Sequence, residues 1–272
     1  MISTETARAT ELATAGTTNN PFFLWDSLIT GATSLHGVAT GGDAENCLTG
    51  DTFDRALPLA SSNRAVLKFT TSGAITCVAI GAHNLADVDG EILLQYSDDG
   101  GSTWTSINST AIDPTDNAAI VFRFSSESET DWRLRIDNLT GQASIGVLMA
   151  GNELIPSQRI YQGYAPPIVP NVVRLVPRTS EGGEFLGATV TSRGSQAAAE
   201  FQHLTPTELR GTDFKGFLTH YNEGNGFFWA WRPTKYDDAH FARSAGQMAQ
   251  PVNSGPKDYM SLSLGMQFYD DP

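Results

Sequence analysis

Carboxylates and imidazoles are scattered through this chain, and their spacing decides what chemistry they can do. Asp87, Asp89, Asp98 and Asp99 cluster around one expected hairpin, and carboxylates so grouped suit calcium. The Asp-x-Asp-x-Asp-Gly…Glu order that wraps a loop around the ion is missing, so solvated loop carboxylates are expected and no metal site is assigned. The five histidines, His36, His83, His203, His220 and His240, show no His-x-x-x-His pair, the spacing that places two imidazoles on one helix face for zinc. Hydrolysis of a glycosidic bond needs two placed carboxylates, and no pattern selects a pair. The phosphate cradles Gly-x-x-x-x-Gly-Lys and Gly-x-Gly-x-x-Gly do not occur, nor does the nucleophile turn Gly-x-Ser-x-Gly. No catalytic residue, no cofactor and no enzymatic activity is expected.

Binding chemistry is better represented. His83-Asn84 follows an apolar run, and offers either a ligand contact or a corner closed by side-chain-to-backbone hydrogen bonds. Phe227-Phe228-Trp229-Ala230-Trp231-Arg232 is the densest aromatic run. Exposed, such rings stack on sugars or fill a subunit interface; buried, they make a core. Alternation gives one face to the core and leaves Phe228 and Arg232 on the other, which is read as an interface face. Trp25 joins His83 and Asn84 as a candidate glycan contact. The stretch Ser97-Asp98-Asp99-Gly100-Gly101-Ser102-Thr103-Trp104 has a structural logic. Asp99 can accept backbone N–H groups, Gly101 can take a positive φ, and the Trp104 ring can cover the turn, with Ser97 and Thr103 at its two ends.

The elements that must hold these groups are mostly strands. Val66 to Thr70, Ile75 to Gly81 and Glu91 to Ser97 have the length and β-branched content of strands. Ile120, Phe122 and Phe124 alternate with Val121 and Arg123, and Trp132, Leu134 and Ile136 with Arg133, Arg135 and Asp137, giving one buried and one wet face. Ser144 to Ala150 closes the first set. Prolines 156, 166, 167 and 170 then stiffen a stretch that also holds Tyr161 and Tyr164. Beyond it, Val172 to Pro177 and Phe185 to Ser192 flank the turn Glu181-Gly182-Gly183-Glu184. Phe214, Phe217, Leu218 and Tyr221 fall on one face of a helix, with Asp213 as its cap and Glu223-Gly224-Asn225-Gly226 as its stop. Met260, Leu262, Leu264, Met266 and Phe268 mark a last strand at period two. The class is therefore mainly β: an N-terminal jelly-roll-like β-sandwich, then a smaller β-rich (α+β) domain with one short helix. The expected division is 1–20, an arm that orders on assembly or else a short helix around Ala7 to Ala15; 21–154, the sandwich; 155–171, a Pro-rich linker; and 172–272, an assembly domain.

Totals narrow the partners. The chain has 272 residues and a formal charge of -13, which disfavours nucleic acid because phosphate contact needs clustered Lys and Arg. No apolar run approaches the ~20 residues of a membrane span. The first 20 residues lack a basic region and an apolar region, so no secretory signal is expected. Cys47 and Cys77 have no Cys-x-x-Cys spacing; two free thiols in a reducing compartment are expected, with pairing as the alternative.

Three resemblances go further. Ser97, Asp99, Gly101, Thr103 and Trp104 resemble the Asp-box of sialidase-type propellers, which implies a turn remote from chemistry. The stretch from Glu45 through Trp104 resembles the discoidin-like (galactose-binding-like) sandwich, carried by Asn46-Cys47-Leu48-Thr49-Gly50-Asp51-Thr52-Phe53, then His83-Asn84 and the Asp-box hairpin. The second half is similar to tail-tip or distal-tail components of tailed bacteriophages. That likeness is carried by Glu181-Gly182-Gly183-Glu184-Phe185-Leu186-Gly187, by Asp213 to Trp231 and by the strand before Asp270-Asp271-Pro272. The resemblance implies a virion structural protein, assembled in the bacterial cytoplasm, that forms a homo-oligomeric ring near the distal tail. Its partners would be itself, other tail proteins and host-surface glycans. The alternative it implies is a carbohydrate-binding module protein.

Overall fold

The computed structural model describes residues 1–161, 163–254 and 258–269. Its first part runs β1 (Ile2–Thr4), α1 (Thr6–Thr14), β2 (Phe22–Leu24), β3 (Ile29–Ser34), β4 (Ala60–Ser61), β5 (Arg64–Thr71), β6 (Ile75–His83), β7 (Glu91–Ser97), β8 (Thr105–Ser106), β9 (Ile120–Glu127), β10 (Asp131–Asp137) and β11 (Ile145–Gly151). It continues with β12 (Val172–Thr179), β13 (Phe185–Leu204), α2 (Pro206–Arg210), α3 (Thr212–Asn222), β14 (Phe227–Ala230), β15 (His240–Ser244), β16 (Val252–Asn253) and β17 (Met260–Phe268). The expected mainly β class is what is found. The closing Asp270-Asp271-Pro272 lies outside the described residues.

Three sheets and a helical layer stack in series. The outer sheet has the order β3-β5-β10-β7-β8, with β4 added to β5; the middle sheet is β1-β9-β6-β11; the third is β12-β13-β17-β15-β14-β2, with β16 on β17. Trp132, Leu134, Ile136, Leu67 and Phe69 of the outer sheet pack on Val78, Ile80, Phe122, Phe124 and Leu148 of the middle one, which is the expected sandwich core. The other face of the middle sheet is also covered. Cys77, Ala79, Val121, Val147 and Met149 meet Phe22, Leu24, Phe228, Ala230 and Phe241 of the third sheet in a seam. The far face of the third sheet then packs Phe23, Phe201, Trp229 and Leu264 against Leu209, Phe214, Phe217 and Tyr221 of the helices. Successive side chains of a strand point to opposite faces. A sheet covered twice therefore needs apolar residues at every position, and every residue of β11 and of β14 is buried.

The seam explains several departures from expectation. Phe228 was expected on an interface face; it is fully buried, because that face is occupied by the chain's own sandwich. Gly81 makes room for it: a Cβ there would lie 3.1 Å from the Phe228 ring. Strand β2 pairs with β14, so Phe22 to Leu24 sit in the third sheet rather than in the sandwich that follows them in sequence. The N-terminal segment is not a free arm. Strand β1 runs parallel to β9, the Met1 amino group donates to the Ala119 carbonyl at 2.6 Å, and α1 covers the Ala7 to Ala15 region expected to be helical. The Pro-rich stretch is a packed strap as well. Leu154 bridges Phe23, Ile160 bridges Phe201, and the Trp229 indole donates to the Tyr164 hydroxyl at 2.9 Å. Both cysteines are free, Cys47 in the sandwich core and Cys77 in the seam. Burial pushes the Cys47 thiol up to about 12, and burial followed by the Glu153 carboxylate raises Cys77.

The expected helix is α3, but Asp213 does not cap it. Gly211 holds the cap position without a side-chain bond, and Asp213 stands in the first turn, where a carboxylate favours the helix dipole. Residue Gly224, at φ +80°, supplies the stop. A second helix, α2, precedes it. Thr205 caps it by accepting the Glu208 N–H at 3.2 Å, with Pro206 at the first helical position.

One element has no cover. Strand β12 pairs with β13 alone, and all eight of its residues are exposed. Strand β13 is 20 residues long: residues 185–194 pair with β12, and 195–204 pair mostly with β17 in the body. Residues 172–194 thus form a two-stranded arm about 30 Å long, taking ~3.3 Å per residue. It is closed by the expected turn at Glu181 to Glu184, where Gly183 has φ +83°. Val172, Val173, Leu175, Val176, Phe185, Leu186 and Val190 are all exposed on it, Phe185 at 89%.

Candidate ligand-binding cleft

His83 and Asn84, at the end of β6, are held from within. His83 is fully buried; its Nε2 lies 2.8 Å from the Ala118 carbonyl, and its Nδ1 accepts the Leu85 N–H at 3.3 Å. An acceptor at Nδ1 places the proton on Nε2, which donates to Ala118. Asn84 donates to the Gln142 carbonyl at 2.9 Å and accepts from the Ser144 N–H at 2.8 Å, so both ends of its amide tie the corner to the loop before β11. Of the expected contact residues, His83 and Phe228 are therefore buried structural groups. Arg232 is half-buried, with its guanidinium 5.1 Å from the Trp231 ring, and Trp231 stacks on Tyr236 at 5.1 Å.

The Asp-box forms a closed hydrogen-bond turn after β7. Asp99 Oδ1 accepts the N–H groups of Ser102 and Thr103 at 2.9 and 2.8 Å, and Oδ2 accepts the Thr103 hydroxyl at 2.7 Å. Ser97 Oγ donates to Asp99 at 2.8 Å and accepts the Gly101 N–H at 2.7 Å. The Trp104 indole donates to the Gly101 carbonyl at 3.1 Å. These donors favour the charged carboxylate, the Thr103 N–H and hydroxyl most and the Ser97 hydroxyl next, and hold Asp99 down at about 2. Gly100 and Gly101 both take positive φ.

Trp25 is the expected contact residue that lines an open cleft. The chain leaves β2 there and crosses from the third sheet to the sandwich. The Trp25 ring meets His220 edge-on at 5.5 Å, and lies so close to α3 that a Cβ on Gly216 would come within 2.6 Å of it. Around it a cleft of about 500 Å³ is lined by Asp26, Asp51, His220, Asn225 and Arg243. One wall comes from Leu48 to Asp51, within the stretch that carries the discoidin resemblance; the other comes from the end of α3 and its Gly224-Asn225-Gly226 stop. Asp26, Asp51, Asn225 and Arg243 are exposed. His220 is fixed, its Nε2 2.8 Å from the Gly226 carbonyl. Beside Asp51, whose carboxylate accepts the Phe53 N–H at 2.9 Å, the Phe53 ring is 87% exposed.

Carboxylates accept from hydroxyls, a guanidinium donates in a fork, and an amide does both. Together with an aromatic edge, this set suits a polyhydroxyl ligand. Asp51, Asn225 and Arg243 went unrecognised in the sequence because they lie on separate segments that meet only through the seam. An exposed phenylalanine such as Phe53 has no sequence mark, since only burial separates it from a core residue. Among the described residues no cluster of His, Cys, Asp and Glu has the makings of a metal site, and no helix is long and apolar enough to cross a membrane.

No family model and no curated protein matches this chain. Solved structures resemble part of it. A pectin-binding carbohydrate-binding module is 15% identical, covering 46% of this chain and 91% of its own, with a TM-score of 0.39. A carbohydrate-binding module of Clostridium perfringens, in complex with GalNAc-β-1,3-galactose, is 13% identical over 44% of this chain and 94% of its own, at 0.38. A CBM32 module in complex with 4,5-unsaturated mannuronic acid is 16% identical over 47% and 96%, also at 0.38. The likeness is remote and says nothing about a ligand.

Proposed function

We propose that this chain is a glycan-recognition protein, binding a sugar in the cleft between the sandwich and the end of α3. The observation that carries this reading is the joining, in one open cleft, of the Trp25 edge with Asp26, Asp51, Asn225 and Arg243. Phe53, tied to Asp51 through its backbone N–H, exposes a ring that can stack on a sugar face. The role is recognition rather than turnover. The test is a glycan array with the full chain, followed by calorimetry on the best ligand. Phe53→Ala and Asn225→Ala are expected to weaken binding by about tenfold each, roughly 1.4 kcal/mol. Because both side chains are exposed, the melting temperature should not move. Wild-type affinity in both variants would end this reading, as would an array without ligands.

A second reading is compatible with it: a structural subunit of a phage virion, joining copies of itself in a ring near the distal tail, with glycan contact as its link to the host. The exposed β12–β13 arm favours it. A two-stranded hairpin is marginally stable alone in water, and burying each of its large apolar side chains is worth about 1.5–3 kcal/mol. A purified chain that stays monomeric at high concentration, and is missing from virions by mass spectrometry, would remove this reading.

A further inference from the structure

The outer face of the sandwich carries a feature that the cleft does not use. The chain has 17 Lys and Arg against 30 Asp and Glu. Yet β5 and β10, adjacent in the outer sheet, turn Arg64, Lys68, Arg133 and Arg135 to the same face, opposite the sandwich core. Arg133 and Lys68 stand directly opposite each other in the register. Like charges in that relation repel and destabilise a sheet. Arg64 and Arg135 are offset by a carboxylate, since both pair with Asp137. Among the described residues Arg133 and Lys68 form no ion pair; Arg133 instead donates to the Gln95 amide oxygen at 2.8 Å.

The two cations converge on Trp104. The Arg133 guanidinium lies 4.3 Å from the ring centroid and the Lys68 ammonium 5.5 Å. The Asp-box turn fixes that ring through its bond to Gly101, so the turn acts as a rigid mount for the cation pair. Burial first, then the charges of Arg135 and Arg64, lower the pKa of Arg133, partly offset by the Asp137 carboxylate. Beside the pair a small cleft of about 230 Å³ opens, lined by Lys68, Trp104, Thr33, Thr70, Glu45 and Asp131. It combines a cation, an aromatic ring, hydroxyls, and carboxylates that can accept from a ligand's hydroxyls.

We propose that Lys68 and Arg133, mounted on Trp104, form a second binding site that takes the carboxylate of an acidic sugar such as a uronate. The sugar's hydroxyls face Thr33, Thr70 and Asp131. The site shares with the proposed function the expectation of a glycan ligand, but none of its residues lies in the Trp25 cleft.

The test is calorimetry of the full chain with a uronate oligosaccharide, its neutral counterpart of the same length, and inorganic phosphate. The uronate is expected to bind more tightly than the neutral oligomer and than phosphate, with an affinity that falls as salt rises. Lys68→Gln with Arg133→Gln should weaken it about tenfold or more. Arg174→Gln with Arg178→Gln, which removes the same charge from the arm, should not. Equal binding of phosphate and uronate would overturn the sugar assignment, and undiminished uronate binding in the Lys68/Arg133 variant would overturn the site. Phe53→Ala with Asn225→Ala separates the two proposals. If that variant loses the uronate and the Lys68/Arg133 variant keeps it, the Trp25 cleft alone is the sugar site.

Discussion

Strands β6 and β11 bury both of their faces; β12 and residues 185–191 of β13 expose both. In composition the two regions are close relatives. Val78-Ala79-Ile80 has apolar residues in succession, and so have Val172-Val173 and Leu175-Val176. A strand with apolar residues on both faces needs two covers. For the middle sheet the chain supplies both, the outer sheet on one side and the third sheet on the other. For the arm it supplies none. Burial is therefore not a property that a strand's own residues decide; it depends on how many layers the rest of the chain can lay against it. The arm stays uncovered in the single chain, and that exposure is the one observation on which the proposed assembly reading rests.

The doubly covered middle sheet is most vulnerable at the seam's ion pair. Arg123 is fully buried, with its guanidinium 4.5 Å from the Phe22 ring, and it meets Glu153 through two bonds, at 2.9 and 2.5 Å. The Glu153 side chain is itself 0% exposed and also draws Arg8 to 3.6 Å. Glu153→Gln leaves Arg123 buried in the seam without its carboxylate, while Arg8 keeps Glu11 at 3.0 Å. Removing one partner of a buried pair costs about 3–5 kcal/mol. Thermal denaturation is expected to show a fall of roughly 10 °C; a change within a degree or two would mean that the seam is looser than its burial implies.

A smaller effect comes from His240 on β15, where burial and then the Met1 amino group push the imidazole down to about 4. Its Nε2 is buried without a partner. The unfolded chain takes up this proton near 6.5, whereas the folded one refuses it until about 4. Protons therefore favour unfolding in that window. The contribution is whole above pH 6.5 and is lost as pH falls toward 4, amounting to about 3 kcal/mol at most. Comparing denaturant midpoints of the wild type and His240→Gln between pH 7 and 4 isolates it from the carboxylates. The wild type should lose stability faster on acidification than the variant; parallel curves would contradict the burial of this group.

How much of this could be read beforehand follows the range of the interactions. Glu91 to Ser97 and the helix around Phe214 to Tyr221 were legible, because alternation and 3.6-residue periodicity are local. The Asp-box turn was legible for the same reason, since all its bonds close within Ser97 to Trp104. The pairing of Phe22 to Leu24 with Phe228 to Ala230 was not, because about 200 residues separate the partners and nothing local marks them. That one pairing buries Phe228, helps to build the seam, and brings Trp25 to His220. The cleft depends on it, so Trp25 could be picked as an aromatic residue while Asp51, Asn225 and Arg243 could not be grouped with it. His83 and Asn84 carried two readings at the sequence level. Only the loops holding Ala118, Gln142 and Ser144 show where their polar atoms go.

The smallest expected effect is the one that most sharpens the contrast between seam and arm. Leu175 is 54% exposed on β12 and packs in none of the three cores. Leu175→Ser should therefore leave the stability of the dilute, monomeric chain within about 0.5 kcal/mol of wild type. Phe228→Ala in the seam, by contrast, should cost about 3–5 kcal/mol. Yet if the arm is covered by a second copy, the same silent substitution removes buried apolar area from the oligomer and should lower its affinity several-fold, read as a shift toward monomer in sedimentation or native mass measurements. Pro177 shapes how that contact is made. It removes an N–H donor from the edge strand, and the irregular pairing at Arg174/Leu175 and Arg178/Thr179 twists the ribbon, both of which discourage strand-to-strand addition. Contact through side-chain faces, rather than through the strand edge, is then the expected mode, and Leu175→Ser tests a face. A wild-type chain that oligomerises equally well with and without this leucine would move the contact elsewhere on the molecule. A substitution that destabilises the monomer as much as one in the seam would show that the arm already has its cover within a single chain.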